Sequence, residues 1–252
     1  MAEMIGILGP PKTGKSHFAR SCTEIGKTVV ALTDPTERNF YKQSGLEPEI
    51  VVDHRWRPFF DQYDATGFDA LMHWLDKVAK SDAEFIVIDP ASAVSDLVMH
   101  EVLKLHHSDD PKSAGGYGEG YTGHNRLMNQ FLTELQLANL KDKWVICTWH
   151  TRMKEMEGAG EVKKGKGMSG KEELQFEERL LPVINTSMRQ DIAGFFSGWL
   201  HTKLYGYGPG TKYCLTAVPD QARPAGSRLQ FKKGTNLGMI PNTMKSLLEV
   251  LE

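Results

Sequence analysis

Met4-Ile-Gly-Ile-Leu-Gly-Pro-Pro-Lys-Thr-Gly-Lys-Ser16 runs from a short apolar segment into a turn bracketed by glycines. Met4 to Leu8 reads as a buried strand closed by Gly9, and from Lys15 to Ile25 the residues Phe18, Ala19, Cys22 and Ile25 recur at helical spacing. The turn therefore joins a strand to a helix. In that context Gly9 to Ser16 satisfies G-x-x-x-x-G-K-[ST], the pattern of a phosphate-binding loop. In the loop Gly9, Pro10, Pro11, Lys12, Thr13 and Gly14 the glycines let backbone N–H groups, which the two prolines lack, wrap the phosphates, and Lys15, Ser16 and His17 open the helix. Lys15 is expected to reach the β- and γ-phosphates and Ser16 to ligate Mg²⁺, so the expected ligands are ATP and Mg²⁺.

Outward from this loop, β-branched segments at Thr28 to Leu32 and Glu49 to Val52 predict strands, and Leu71, Leu75 and Val78 put one apolar face on a helix from Phe68 to Val78. Phe85-Ile-Val-Ile-Asp89 and Trp144-Val-Ile-Cys-Thr-Trp149 are continuous apolar runs, as strands buried on both faces of a parallel sheet are. Helices are expected at Val94 to Leu105, Leu127 to Leu140 and Thr243 to Leu251. Asp191 to Leu204 and Tyr213 to Val218 flank Tyr205-Gly-Tyr-Gly-Pro-Gly210 as a hairpin. The order predicts a doubly wound, mainly parallel α/β domain with a C-terminal antiparallel hairpin extension, spanning 1–252. Residues 106–123 and 152–180, polar and rich in glycine or charge, are expected to be mobile loops within it.

Ligands of such a sheet sit at the C-terminal ends of its strands. Asp89, which closes one strand, is the acid expected to support Mg²⁺ through water. Asp34 and Glu37, in Thr33-Asp-Pro-Thr-Glu37, are alternative groups for orienting the attacking water. His150, after Thr148 and Trp149, is placed to sense the γ-phosphate by a hydrogen bond that ADP does not offer. Gly165-Lys-Gly-Met-Ser-Gly170 fits G-x-G-x-x-G but follows no apolar strand, so it is read as a flexible loop. His106 and His107 beside Asp109 and Asp110 diverge too much for a dedicated metal site, and Asn185-Thr-Ser187 carries no weight as a glycosylation triplet.

The chain has 252 residues, 40% of them hydrophobic, with a formal charge of −2 at pH 7. Nothing global draws it to nucleic acid, so such binding must come from a local patch. Three dispersed cysteines and no apolar run near ~20 residues suggest a soluble protein of a reducing cytoplasm, with no membrane partner. Lys163, Lys164, Lys166 and Lys171 lie in a glycine-rich stretch surrounded by Glu155, Glu157, Glu161, Glu172 and Glu173, so the net field there is small. Lys203, Lys212, Arg223, Arg228, Lys232, Lys233 and Lys245 face a single acid, Asp220, with Tyr205, Tyr207 and Tyr213 nearby, a combination that can track a backbone and stack bases. Arg228, Lys232 or Lys233 is also placed to enter a neighbouring subunit's nucleotide site.

Gly9 to Ser16, Phe85 to Asp89, Tyr117-Gly118, Val145 to His150 and the stretch Arg228 to Pro241 together resemble the RecA-like P-loop ATPases of phages, most closely the single-strand annealing ATPases with a RecA/KaiC-like core. The resemblance implies a compact RecA-like fold, ATP and Mg²⁺ as cofactors, oligomers, and action on single-stranded DNA during phage recombination; in a homo-oligomer of the host cytoplasm Lys232 or Lys233 is then expected, from its placement, to act in trans. A single-strand-binding protein is an implied partner. Such proteins usually carry a glutamate directly after the second strand; here Asp34 comes first and Glu37 follows Pro35. A helicase-type or packaging motor, a nucleotide-gated scaffold with little hydrolysis and a small-molecule kinase are the alternatives.

Overall fold

The computed structural model describes residues 2–51, 67–116, 118–157, 176–184, 188, 191–206, 210–219 and 225–252. β1 (Met4–Gly9) is buried along its whole length, and α1 (Lys15–Ser21) begins after Gly14, whose φ of 94° suits glycine alone without strain. β2 (Thr28–Leu32) ends at a 3₁₀ turn, Pro35–Glu37, capped by the Asp34 carboxylate, which leads into α2 (Arg38–Lys42). β3 (Glu49–Ile50), α3 (Phe68–Ala79), β4 (Phe85–Asp89), α4 (Ala91–Leu105) and α5 (Glu119–Asn139) follow. Then come β5 (Trp144–Glu157), β6 (Phe176–Pro182), β7 (Gly198–Tyr205), β8 (Lys212–Thr216), β9 (Gly226–Ser227), β10 (Ile240–Pro241) and α6 (Met244–Val250).

The sheet runs β10-β8-β7-β1-β5-β4-β2-β3, with β6 paired to β5 and β9 to β7. Its centre, from β7 to β3, is parallel, and β8, β10, β6 and β9 join it antiparallel. Alternation along the strands divides the core in two. Met4, Leu8, Ile86, Ile88, Val145, Cys147 and Trp149 face α3, α4 and α5. Ile5, Ile7, Phe85, Val87 and Ile146 pack on the other side with Phe18 of α1, Tyr41 of α2 and Met244 and Leu247 of α6. Helices on both faces of a mostly parallel sheet, with a phosphate-binding loop after β1, make this a RecA-like P-loop fold. The antiparallel β7–β8 pair is the expected C-terminal hairpin.

Several elements differ from the sequence expectation. Helix α5 starts at Glu119, not Leu127, so the expected loop 106–123 ends in helix. Its first turns pack through small residues, Gly120 against Pro111 and Ala114 and Gly123 against Val102, which a periodicity of large apolar side chains does not register. For the same reason α4 begins at Ala91, whose neighbour Ser92 is also buried. β5 continues past His150 to Glu157 and pairs with β6 from Thr151 opposite Pro182 to Glu157 opposite Phe176. A two-stranded ribbon therefore stands at both ends of the expected loop 152–180; residues 158–175 lie outside the described residues. Ile192–Phe195 is a 3₁₀ turn, and the strand expected from Asp191 begins only at Gly198. Val52, Tyr117, Asn185 to Ser187, Tyr207, Asp220 and Arg223 also lie outside the described residues.

Candidate functional site

The loop between β1 and α1 is shaped by positions that tolerate no side chain and by hydrogen bonds from distant strands. A Cβ on Gly9 would collide with the hydroxyls of Thr202 and Thr13, and one on Gly14 would lie 2.6 Å from Asn242 Nδ2 and 2.8 Å from the Tyr213 ring. Lys12 is held at a φ of 62°. Thr13 Oγ1 lies 2.7 Å from Pro10 O and 2.6 Å from Thr202 Oγ1, which in turn lies 3.1 Å from Leu8 O. Two hydroxyl protons thus serve a chain of contacts joining the loop to β7. Asn242 Nδ2 donates to Gly14 O at 2.8 Å from the other flank.

Lys15 Nζ donates to Gly9 O at 3.0 Å and Pro10 O at 2.7 Å and is only 5% exposed. Burial pulls its pKa down to about 8, against the opposing charges of Asp89 and Glu37. A buried ammonium whose hydrogen-bond partners are neutral carbonyls keeps its charge for an anion, and the phosphates of a nucleotide fit that requirement. Ser16 is half-buried at the first turn of α1, His17, Pro11 and Lys12 are exposed, and Pro10 is half-buried.

Asp89 is 2% exposed, and both its oxygens are held. Tyr41 Oη donates to Oδ2 at 2.5 Å, and Thr148 Oγ1 donates to Oδ1. Each carboxylate oxygen keeps a further acceptor direction. With the Ser16 hydroxyl, these are hard oxygen donors of the kind Mg²⁺ takes, Asp89 acting through water. Strand register brings the site together: β5 lies between β1 and β4, so His150 stands opposite Gly9 while Asp89 stands opposite Leu32 of β2.

Of the two candidate acids, Asp34 commits one carboxylate oxygen to the turn, Oδ1 accepting from Thr36 N at 3.0 Å and Thr36 Oγ1 at 2.7 Å. Glu37 lies in the field of Lys15 and Asp89. Its pKa is raised by burial first, then by Asp89 and Asp34, with Lys15 opposing. The His150 pKa is lowered by burial and then by Lys15. Its Nδ1 is buried without a hydrogen-bond partner, and its backbone N–H donates to Ser92 Oγ at 3.3 Å. A cleft of about 250 Å³ opens beside these groups, lined by Asp34, Ser92, Asp96, His150 and Val183 among others.

Lys232 Nζ donates to Glu249 O at 2.7 Å, Arg228 to Phe196 O at 3.0 Å, and Lys233 is exposed. Tyr205 donates to Gly238 O at 2.9 Å, and Tyr213 stands beside Gly14. Lys163 to Lys171 lie outside the described residues. Among the described residues no three His, Cys, Asp or Glu side chains gather to hold a metal, and no helix is long and apolar enough to cross a membrane. Sequence reasoning missed Tyr41, Thr202 and Asn242. Tyr41 carried a signal, an aromatic one helical turn after Glu37; Thr202 and Asn242, more than 180 residues from the loop, carried none.

The phosphate loop, the strand-end acid and the strand between them define a RecA-like P-loop ATPase. The AAA domain family matches residues 1–229, and the chain belongs to that family. No match was found among curated proteins. Among solved structures, the flagellar accessory protein FlaH from Methanocaldococcus jannaschii is similar at 14% identity and a TM-score of 0.35, over 85% of this chain and 76% of that one. A KaiC-like protein from Pyrococcus horikoshii OT3 is similar at 12% identity and a TM-score of 0.43, over 94% and 82% of the two chains. At those values neither lends this chain an activity.

Proposed function

We propose that this protein binds ATP with Mg²⁺, hydrolyses it, and uses the cycle on single-stranded DNA in recombination or annealing, as a phage-type homo-oligomer. In this reading Lys15 neutralises charge on the β- and γ-phosphates, while Ser16 and Asp89 hold the cation, whose role when bound is to offset charge on the transferring phosphoryl group. Glu37, not the turn-capping Asp34, orients the attacking water. His150 offers its ring to the γ-phosphate. Lys232 or Lys233 reaches a neighbouring subunit, and a single-strand-binding protein is a natural partner on the same strand.

The observation that carries the DNA part is the continuity of β5. One strand takes Thr148 and His150 into the nucleotide site and runs on as Thr151 to Glu157 into the ribbon that bears the segment with Lys163, Lys164, Lys166 and Lys171. In this reading a change sensed at His150 passes along one strand to the segment that carries these lysines. Steady-state hydrolysis with and without single-stranded DNA, across a salt series, tests this. Stimulation that fades with salt is expected, because phosphate contacts release counterions. Hydrolysis indifferent to DNA would move the reading to a nucleotide-gated scaffold; stimulation only by forked or duplex DNA would move it to a motor.

A further inference from the structure

Residues 33–41 are fastened at both ends to the strand end that carries Asp89. At one end Thr33 N donates to Asp89 O at 3.1 Å and Thr33 Oγ1 to Pro90 O at 2.6 Å. At the other, Tyr41 Oη donates to Asp89 Oδ2 at 2.5 Å. Glu37 sits between the fastenings. It is the N-cap of α2, and Tyr41 lies four residues further on, so the two side chains rise from one face of one helical turn. Tyr41 is fully buried among apolar neighbours. A position that required only volume would take phenylalanine; a buried hydroxyl requires a partner, and here the partner is the strand-end acid.

We propose that Tyr41 is a positioning residue for hydrolysis. Its hydroxyl fixes the Asp89 carboxylate from the side opposite Thr148, and through α2 it sets where Glu37 stands relative to that carboxylate. The two clamps remove the rotation of the carboxylate about its last bond, so the free acceptor directions of Oδ1 and Oδ2 are aimed before cation and nucleotide arrive. The inference rests on the hydrolytic reading given above.

The test is Tyr41→Phe, which keeps the ring and removes one oxygen, with Asn39→Ala, at an exposed position of the same helix, as a control. Three quantities are read: kcat and KM for ATP, the affinity for Mn²⁺ by paramagnetic resonance in the presence of ADP, and the urea midpoint. Partners that orient metal-binding groups typically carry about 10-fold or more in activity or metal affinity. Tyr41→Phe should therefore lower kcat about 10-fold with KM for ATP nearly unchanged, and weaken Mn²⁺ by a similar factor. In a Glu37→Gln background the further loss of kcat should be much smaller, because both changes disable one unit. Asn39→Ala should leave kcat and Mn²⁺ affinity as they are. Unchanged Mn²⁺ affinity in folded Tyr41→Phe protein overturns the proposal, as does an undiminished loss in the Glu37→Gln background. If Tyr41→Phe fails to fold, Thr148→Val tests the clamp from the other side, and unchanged Mn²⁺ affinity there overturns it. If wild-type protein binds nucleotide but does not hydrolyse it, the hydrolytic reading fails on its own, and the Mn²⁺ arm still decides whether Tyr41 holds Asp89.

Discussion

The Lys15 ammonium is buried against two carbonyls, and its pKa falls to about 8. Its unfolded-state value is higher, so below pH 8 the folded state bears the cost of a charge that the unfolded chain solvates, on the order of 3 kcal/mol. That cost is fully present below the folded pKa, shrinks as pH rises through it, and vanishes once the unfolded lysine also loses its proton. Lys15→Met should therefore abolish tight ATP binding and, without nucleotide, raise the urea midpoint at pH 7. The gain should dwindle in a series carried above pH 8. A lower midpoint at pH 7 would mean that Lys15 holds the loop together instead of awaiting an anion. Glu37 has the opposite problem, a carboxyl whose pKa is pushed up by burial and by Asp89 and Asp34. Hydrolysis should thus lose rate on the acid side at a pH above the ordinary carboxylate range, and Glu37→Gln should remove most of the rate and that limb with it. Asp34→Asn should keep the limb, since Asp34 caps the turn.

At the scale of elements, β5 shows what a sequence can and cannot declare. Its first half is a continuous apolar run, legible because both faces are buried under helices. Its second half, Arg152-Met-Lys-Glu-Met-Glu157, is rich in residues that strands disfavour and owes its form to pairing with β6, a partner no local pattern identifies. The start of α5 was hidden for another reason, since Gly120 and Gly123 pack where bulk was sought. The phosphate loop was legible because its chemistry dictates residue types at fixed spacing. Tyr41 was legible only as an aromatic one helical turn after Glu37, because a hydrogen bond to Asp89 across 48 residues leaves no spacing rule. The ribbon carries its own prediction. Replacing residues 158–175 by Asn-Gly, a two-residue hairpin turn, should leave basal hydrolysis intact and remove its stimulation by single-stranded DNA. Stimulation that survives would shift the DNA contact to the basic residues between Lys203 and Lys245.

Across the whole molecule the nucleotide loop is held from two sides. Towards β4 and β5 it faces Asp89 and His150; towards β7 and β10 it is tied by Thr202 to Leu8 and Thr13 and by Asn242 to Gly14. Helix α6 is joined to α1 as well, Met244 N donating to Ser21 Oγ at 2.7 Å. A ligand that grips this loop should therefore stabilise both halves of the sheet. At a concentration 100 times its Kd, ATP adds about 2.7 kcal/mol, or roughly 5–10 °C in Tm for a chain of this size. Hydrogen exchange should slow in β7 and β8 as well as in β4. Thr202→Val removes the hydroxyl that joins β7 to the loop and leaves its neighbours short of a partner, so it should cost about 1–2 kcal/mol and weaken ATP binding. It should also weaken the ATP-induced protection of β7 and β8 relative to that of β4, because only the β1 pairing and Asn242 then join β7 and β10 to the loop. Protection of β7 and β8 that persists in Thr202→Val would show that Asn242 and α6 carry the linkage, and Asn242→Ala would then be the substitution that breaks it.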